Sequence, residues 1–155
     1  LAASAVTEWV PDALRSGVVV TAIFSATPTA EDFQALQAHL AARAAEMTPI
    51  RIIAAEPVTG TLKLSYSPAP DASADKLRDA LWAAFLAPFT GLLTPRQAKV
   101  GGPVFRSAIL ARAAQVPGMG ELLSLHLNGR AMPPRLGLPA HGYFAPALIL
   151  EEVPT

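Results

Sequence analysis

The chain has 155 residues, enough for one domain with its own apolar core. Its 12 Lys and Arg balance 12 Asp and Glu with no basic run, which argues against nucleic acid as a partner, and the lack of cysteine excludes a disulfide framework or a thiolate metal site. Charged residues reach only 15% against an ordinary value of about 25%, while apolar types reach 52%, so either part of the surface is covered by other subunits or an alanine-rich composition inflates the count.

No apolar run approaches the roughly 18–20 residues of a membrane-spanning helix. The opening LAASAVTEWVPDALRSG has neither a basic leader nor an apolar signal core. Because the chain begins at Leu1 and not at Met, it reads as a piece of something longer. Residues 1–16 form an N-terminal segment without a recognisable pattern.

The first predicted element is a central strand over Gly17–Ser25, GVVVTAIFS, β-branched and too short for a helix. A helix follows. Thr29 is placed to cap it with Asp32 three residues on, and Phe33, Leu36, Leu40, Ala44 and Met47 form its apolar stripe ahead of Pro49. From Ile50, IRIIAAE, PVTG and TLKLSYS predict a β-hairpin in which Leu62, Leu64 and Tyr66 share one face and Thr61, Lys63 and Ser65 the other. Ser73 opens a second helix whose Leu77, Leu81, Ala84 and Phe85 line one side before Pro88.

A loop over Phe89–Pro103 leads to a third helix over Val104–Gln115, with Phe105, Ile109 and Arg112 on adjacent turns. Val116-Pro117-Gly118 predicts a type II turn. Leu123, Leu125 and Leu127 then alternate with Ser124, His126 and Asn128 as a strand that Asn128-Gly129 closes. Residues 129–155 are rich in Pro and Gly around the apolar Ala147–Leu150, an extended arm ending in a short strand. The order β-α-β-β-α-α-β over residues 17–128 predicts an α+β fold, a ferredoxin-like split βαβ antiparallel sheet with an additional third helix and the C-terminal arm.

Chemistry is sparse in this pattern. His39, His126 and His141 lack metal-ligand spacing. Ser107 is not in a nucleophile elbow, and Gly101-Gly102-Pro103 precedes a helix without the Lys-Ser/Thr pair of a phosphate loop. Asp71, Asp75 and Asp79 step by four but alternate with Lys76 and Arg78, the pattern of a solvated helix start. Trp9, Trp82, Tyr66 and Tyr143 are scattered and form no stacking platform. No residue is assigned a catalytic, cofactor-binding or metal-binding role.

One stretch carries a family pattern. Gly102, Val104 and Ser107 at the third helix, Val116-Pro117-Gly118, and the strand Leu122–Asn128 resemble the C-terminal region of baseplate protein J-like components of contractile phage tails. The segment Leu138–Leu150 is similar to the Gly-aromatic step that follows there. The run Val18–Phe85, with Pro49 ahead of its second strand and apolar alternation after Gly60, looks like that family's middle domain. The resemblance, over residues 17–150, implies a structural subunit of the baseplate wedge, acting without catalysis and without a cofactor. It implies an oligomeric assembly with other baseplate or tail subunits, and no nucleic-acid, membrane or small-molecule partner. The place implied is the tail baseplate of a virion, or the bacterial cytoplasm before assembly. The alternative is a small ferredoxin-like regulatory or ligand-binding domain that dimerises.

Overall fold

A computed structural model describes residues 2–10, 15–24, 26–44 and 48–154 of the chain. Of the positions named above, Leu1, Ser25 and Met47 lie outside the described residues. The chain divides into two compact units, Leu1–Glu56 and Pro57–Thr155.

In the first unit, β1 (Ala2–Val10) lies antiparallel to β2 (Arg15–Ile23), with Ala2 opposite Ile23 and Val10 opposite Arg15. Helix α1 (Ala30–Ala41) then carries the chain to β3 (Ile50–Ala54), which pairs parallel to β2 with Val18 opposite Ile50. This is a βαβ unit. Val19, Val20, Ala22 and Ile23 are all buried, the continuous burial of a strand covered on both faces. At the start of α1 the Thr29 hydroxyl accepts from the Asp32 N–H, while the Asp32 carboxylate accepts from the Thr29 N–H at 2.8 Å, a complete capping box. Those bonds hold the Asp32 carboxyl below its ordinary pKa, the Thr29 backbone contributing first. The Phe24 and Phe33 rings stand 5.3 Å apart. The helix ends at Ala41, a turn and more before the expected stop near Pro49.

Strand β4 (Glu56–Val58) begins at the boundary, and in the second unit β5 (Thr61–Pro68), α2 (Ala74–Leu86), β6 (Val104–Phe105), α3 (Arg106–Ala114), β7 (Met119–Leu127), β8 (Arg130–Ala131), β9 (Arg135–Leu136), β10 (Gly142–Phe144) and β11 (Ala147–Glu152) follow in order. The main sheet runs β11-β5-β7-β8, and β10-β4 and β6-β9 form two small ladders. Strand β5 is antiparallel to β7 and parallel to β11. Its Leu62, Leu64 and Tyr66 meet Leu77, Leu81 and Phe85 of α2 and Ile109 and Ala113 of α3 in one core. Each such side chain contributes roughly 1.5–3 kcal/mol by leaving water. Met132, Phe144 and Leu148, from the Pro- and Gly-rich last stretch, complete that core. Arg112 donates to the Ala84 and Thr90 carbonyls, so α3 fastens the end of α2.

The α+β class, with its helix–turn–strand order at α3 and β7, agrees with expectation. Besides the early end of α1, three details differ. The hairpin expected from Ile50 to Ser67 does not form, because β3 takes β2 as its partner and β5 takes β7 and β11. The third helix starts at Arg106, because Val104 and Phe105 pair with Leu136 and Arg135 before it can begin. Leu123 is exposed. A register shift between Ser65 and Tyr66 sets Tyr66 against Leu122, so Leu122 and Leu125 turn toward the core and Leu123 turns away.

Candidate functional site

Alternation along β5 sends Leu62, Leu64 and Tyr66 into the core, and therefore Lys63, Ser65 and Ser67 to the other face of the sheet. The neighbouring strands are in register to extend that polar row. On β7, His126 lies opposite Lys63 and Ser124 opposite Ser65; on β11, Ile149 lies level with Lys63 and Glu151 level with Ser65. The side chains link across all three strands. Ser124 Oγ donates to Ser65 Oγ at 3.0 Å, and Ser65 Oγ donates to Glu151 Oε2 at 2.7 Å. Lys63 Nζ reaches diagonally to Glu151 Oε1, also at 2.7 Å.

The charge of Glu151 organises this row. The Lys63 ammonium, then the Ser65 hydroxyl, hold its carboxyl below the ordinary pKa, with the His126 ring acting in the same direction. A carboxylate stabilised in this way is a weak base, poorly suited to take a proton from serine. Nucleophilic chemistry would further need N–H groups aimed at an oxyanion beside the serine, and the backbone of Ser65, between β7 and β11, is engaged in its ladders. What the row can do is lock three strands in register and present an ordered polar face. Beneath it, burial and then Glu152 push the Tyr66 hydroxyl above its ordinary pKa.

The other candidate groups are dispersed. His39 lies in the last turn of α1 with its Nδ1 3.1 Å from an Arg43 guanidinium nitrogen, and His141 is exposed before β10. Asp75 pairs with Arg78 at 2.9 Å on the exposed side of α2, as expected of a solvated helix start, and Asp71 and Asp79 are exposed. Ser107 is exposed in the first turn of α3. At the glycine pair, the Gly101 N–H donates to Gly142 O and the Gly102 N–H to Lys99 O, while Pro103 has none, so no donor is left to hold a phosphate. Among the described residues no group of three or more His, Asp or Glu could hold a metal.

An apolar cavity of about 230 Å³ lies between α3 and the loops around it, lined by Leu92, Val104, Phe105, Ile109, Leu138 and Phe144. Its lining comes from segments far apart in the sequence. So does the polar row: the alternation over 61–66 and 124–128 pointed to two wet faces, but Glu151, which joins them, lies just past the apolar run Ala147–Leu150 and carries no sequence sign of its partner. No helix among the described residues is long and apolar enough to cross a membrane.

The class of fold has a family counterpart: the model of the ACT domain, a ferredoxin-like domain, matches residues 18–87, fewer than half of the chain's 155. Among solved structures the chain is similar to a chain of the anti-feeding prophage (AFP) baseplate, determined by cryo-EM and 6-fold symmetrised. The identity is 13% and the TM-score 0.44, and the match covers 92% of this chain. This chain spans 35% of the length of that one. No curated protein matches it.

Proposed function

We propose that this chain is a structural subunit of a contractile phage-tail or prophage baseplate, working through protein–protein contacts and not through catalysis. The observation that carries the reading is its exposed apolar surface. Trp82, Phe89, Phe105, Leu123 and Ile149 are between 40% and 66% exposed, on a chain whose charged fraction is only 15%. One such side chain is ordinary, but several on a chain short of charges and of zero net charge favour association with another protein. The motif resemblance over residues 17–150 supplies the identity of the assembly, with other baseplate or tail subunits as partners and the virion tail as location. The test is to express a tagged chain from its native locus and purify tail particles. Co-sedimentation with the particle and density for it in the baseplate are expected, and particles that form without it overturn the reading.

A second reading is favoured by the ACT-domain match at residues 18–87: a small regulatory domain that binds a metabolite. It predicts thermal stabilisation by a small metabolite, about 2.7 kcal/mol at a hundredfold excess over Kd. A flat thermal profile across a panel of small metabolites removes it.

A further inference from the structure

Strand β11 is the outer strand of its sheet, bonded to β5 on one side only. The Ala147 N–H goes to Gly60 O and the Val153 N–H to Tyr66 O, so the odd-numbered residues direct their backbone groups at β5. By the alternation of an extended strand, Leu148, Leu150 and Glu152 direct N–H and C=O away from the sheet. Edge strands are ordinarily blunted by an inserted lysine, a proline or a bulge. Here Pro146 and Pro154 bound the edge and Glu151 and Glu152 charge its far end, but Ala147–Leu150 carries no charge, proline or bulge, its register with β5 runs unbroken over six residues, and Ile149 at its middle is 47% exposed.

We infer that β11 pairs antiparallel with β11 of a second copy of this chain, about a two-fold axis at Ile149. The sequence ALILEE is self-complementary in that register. Leu148 exchanges both backbone hydrogen bonds with Leu150 of the second copy, matching the outward groups of each. Ile149 faces its own counterpart at the close, non-hydrogen-bonded position. The charges also fit. Glu151 falls opposite Ala147 and Glu152 opposite Pro146, so no like charges meet, and each Glu151 keeps its Lys63 beside the isoleucine pair. The two sheets become one continuous sheet across the axis. The inference rests on strand geometry and stands apart from the baseplate reading, whose own test is incorporation into particles.

The test uses the full chain. Because it contains no cysteine, Ile149→Cys introduces a single thiol, and a non-hydrogen-bonded antiparallel pair sets Cα atoms about 4.5 Å apart, within disulfide reach. Under mild oxidation Ile149→Cys should form a covalent dimer of twice 16.2 kDa, and Leu123→Cys, equally exposed on β7, should not. By sedimentation equilibrium the unmodified chain should dimerise with concentration, and Ile149→Lys should weaken that association by about tenfold or more. Cross-linking of Ile149→Cys no greater than that of Leu123→Cys overturns the inference. So does a dimer that persists unchanged in Ile149→Lys.

Discussion

Phe85 is wholly buried at the end of the apolar stripe of α2, against β5 and α3. Truncation there removes a ring that its neighbours cannot replace, so Phe85→Ala should destabilise the second unit by about 3–5 kcal/mol, read as a lower urea midpoint. Trp82, three positions earlier on the same helix, is 40% exposed, and its truncation should cost far less. Glu151 tests a different kind of contact. Its pKa is lowered on folding, so its contribution to stability is present above the ordinary carboxylate range and is lost as pH falls through the lowered value. Glu151→Gln should therefore have a lower Tm than the unmodified chain at pH 7, and the two curves should converge on acidification. Because Lys63 and Glu151 are both about two-fifths exposed, salt should shrink the difference. A gap in Tm that widened toward pH 3 would contradict this assignment of the row's charge.

At the scale of elements, caps that look alike in the sequence differ in what they do. Thr29 completes a capping box, so Thr29→Ala should cost α1 about 1 kcal/mol; Ser73 precedes α2 without a side-chain bond, so Ser73→Ala should be close to neutral. Hydrogen exchange of the first-turn amides separates the two cases. The turn after α3 is equally legible: Gly118 stands at φ +86 in the third position of a turn closed by Met119 N–H to Val116 O, as type II requires. An added Cβ there would lie 3.0 Å from Ala72 Cβ, whereas at Gly129, φ +77, it meets nothing within 4 Å. Both alanine variants carry the left-handed penalty of about 1–2 kcal/mol, and Gly118→Ala should lose more than Gly129→Ala on thermal unfolding. Periodicity and punctuation thus reveal which face of an element is apolar and where it stops. They do not reveal its neighbour. Ile50–Ala54 and Thr61–Pro68 look like hairpin partners because they are adjacent in the chain, yet each finds its mate through packing, and the Leu123 inversion comes from a register shift that alternation alone cannot announce. The polar row was hidden for the same reason, since its carboxylate is 86 residues from the serine it binds.

For the whole molecule, the division after Glu56 carries a consequence for folding. The second unit holds one continuous core drawn from Leu62 to Leu148, so residues 57–155 expressed alone should fold and unfold in a single cooperative transition with dispersed amide resonances. A fragment that stays unstructured would show that the contact boundary is not a folding boundary. The parallel pairing of β5 with β11 adds a matter of timing. On a ribosome adding about 5–20 residues per second, the 86 residues from Ser65 to Glu151 take on the order of 4 to 17 s, during which one flank of β5 is bare. Nascent chains are therefore vulnerable to mispairing until β11 emerges, and should depend on holdase chaperones through that interval.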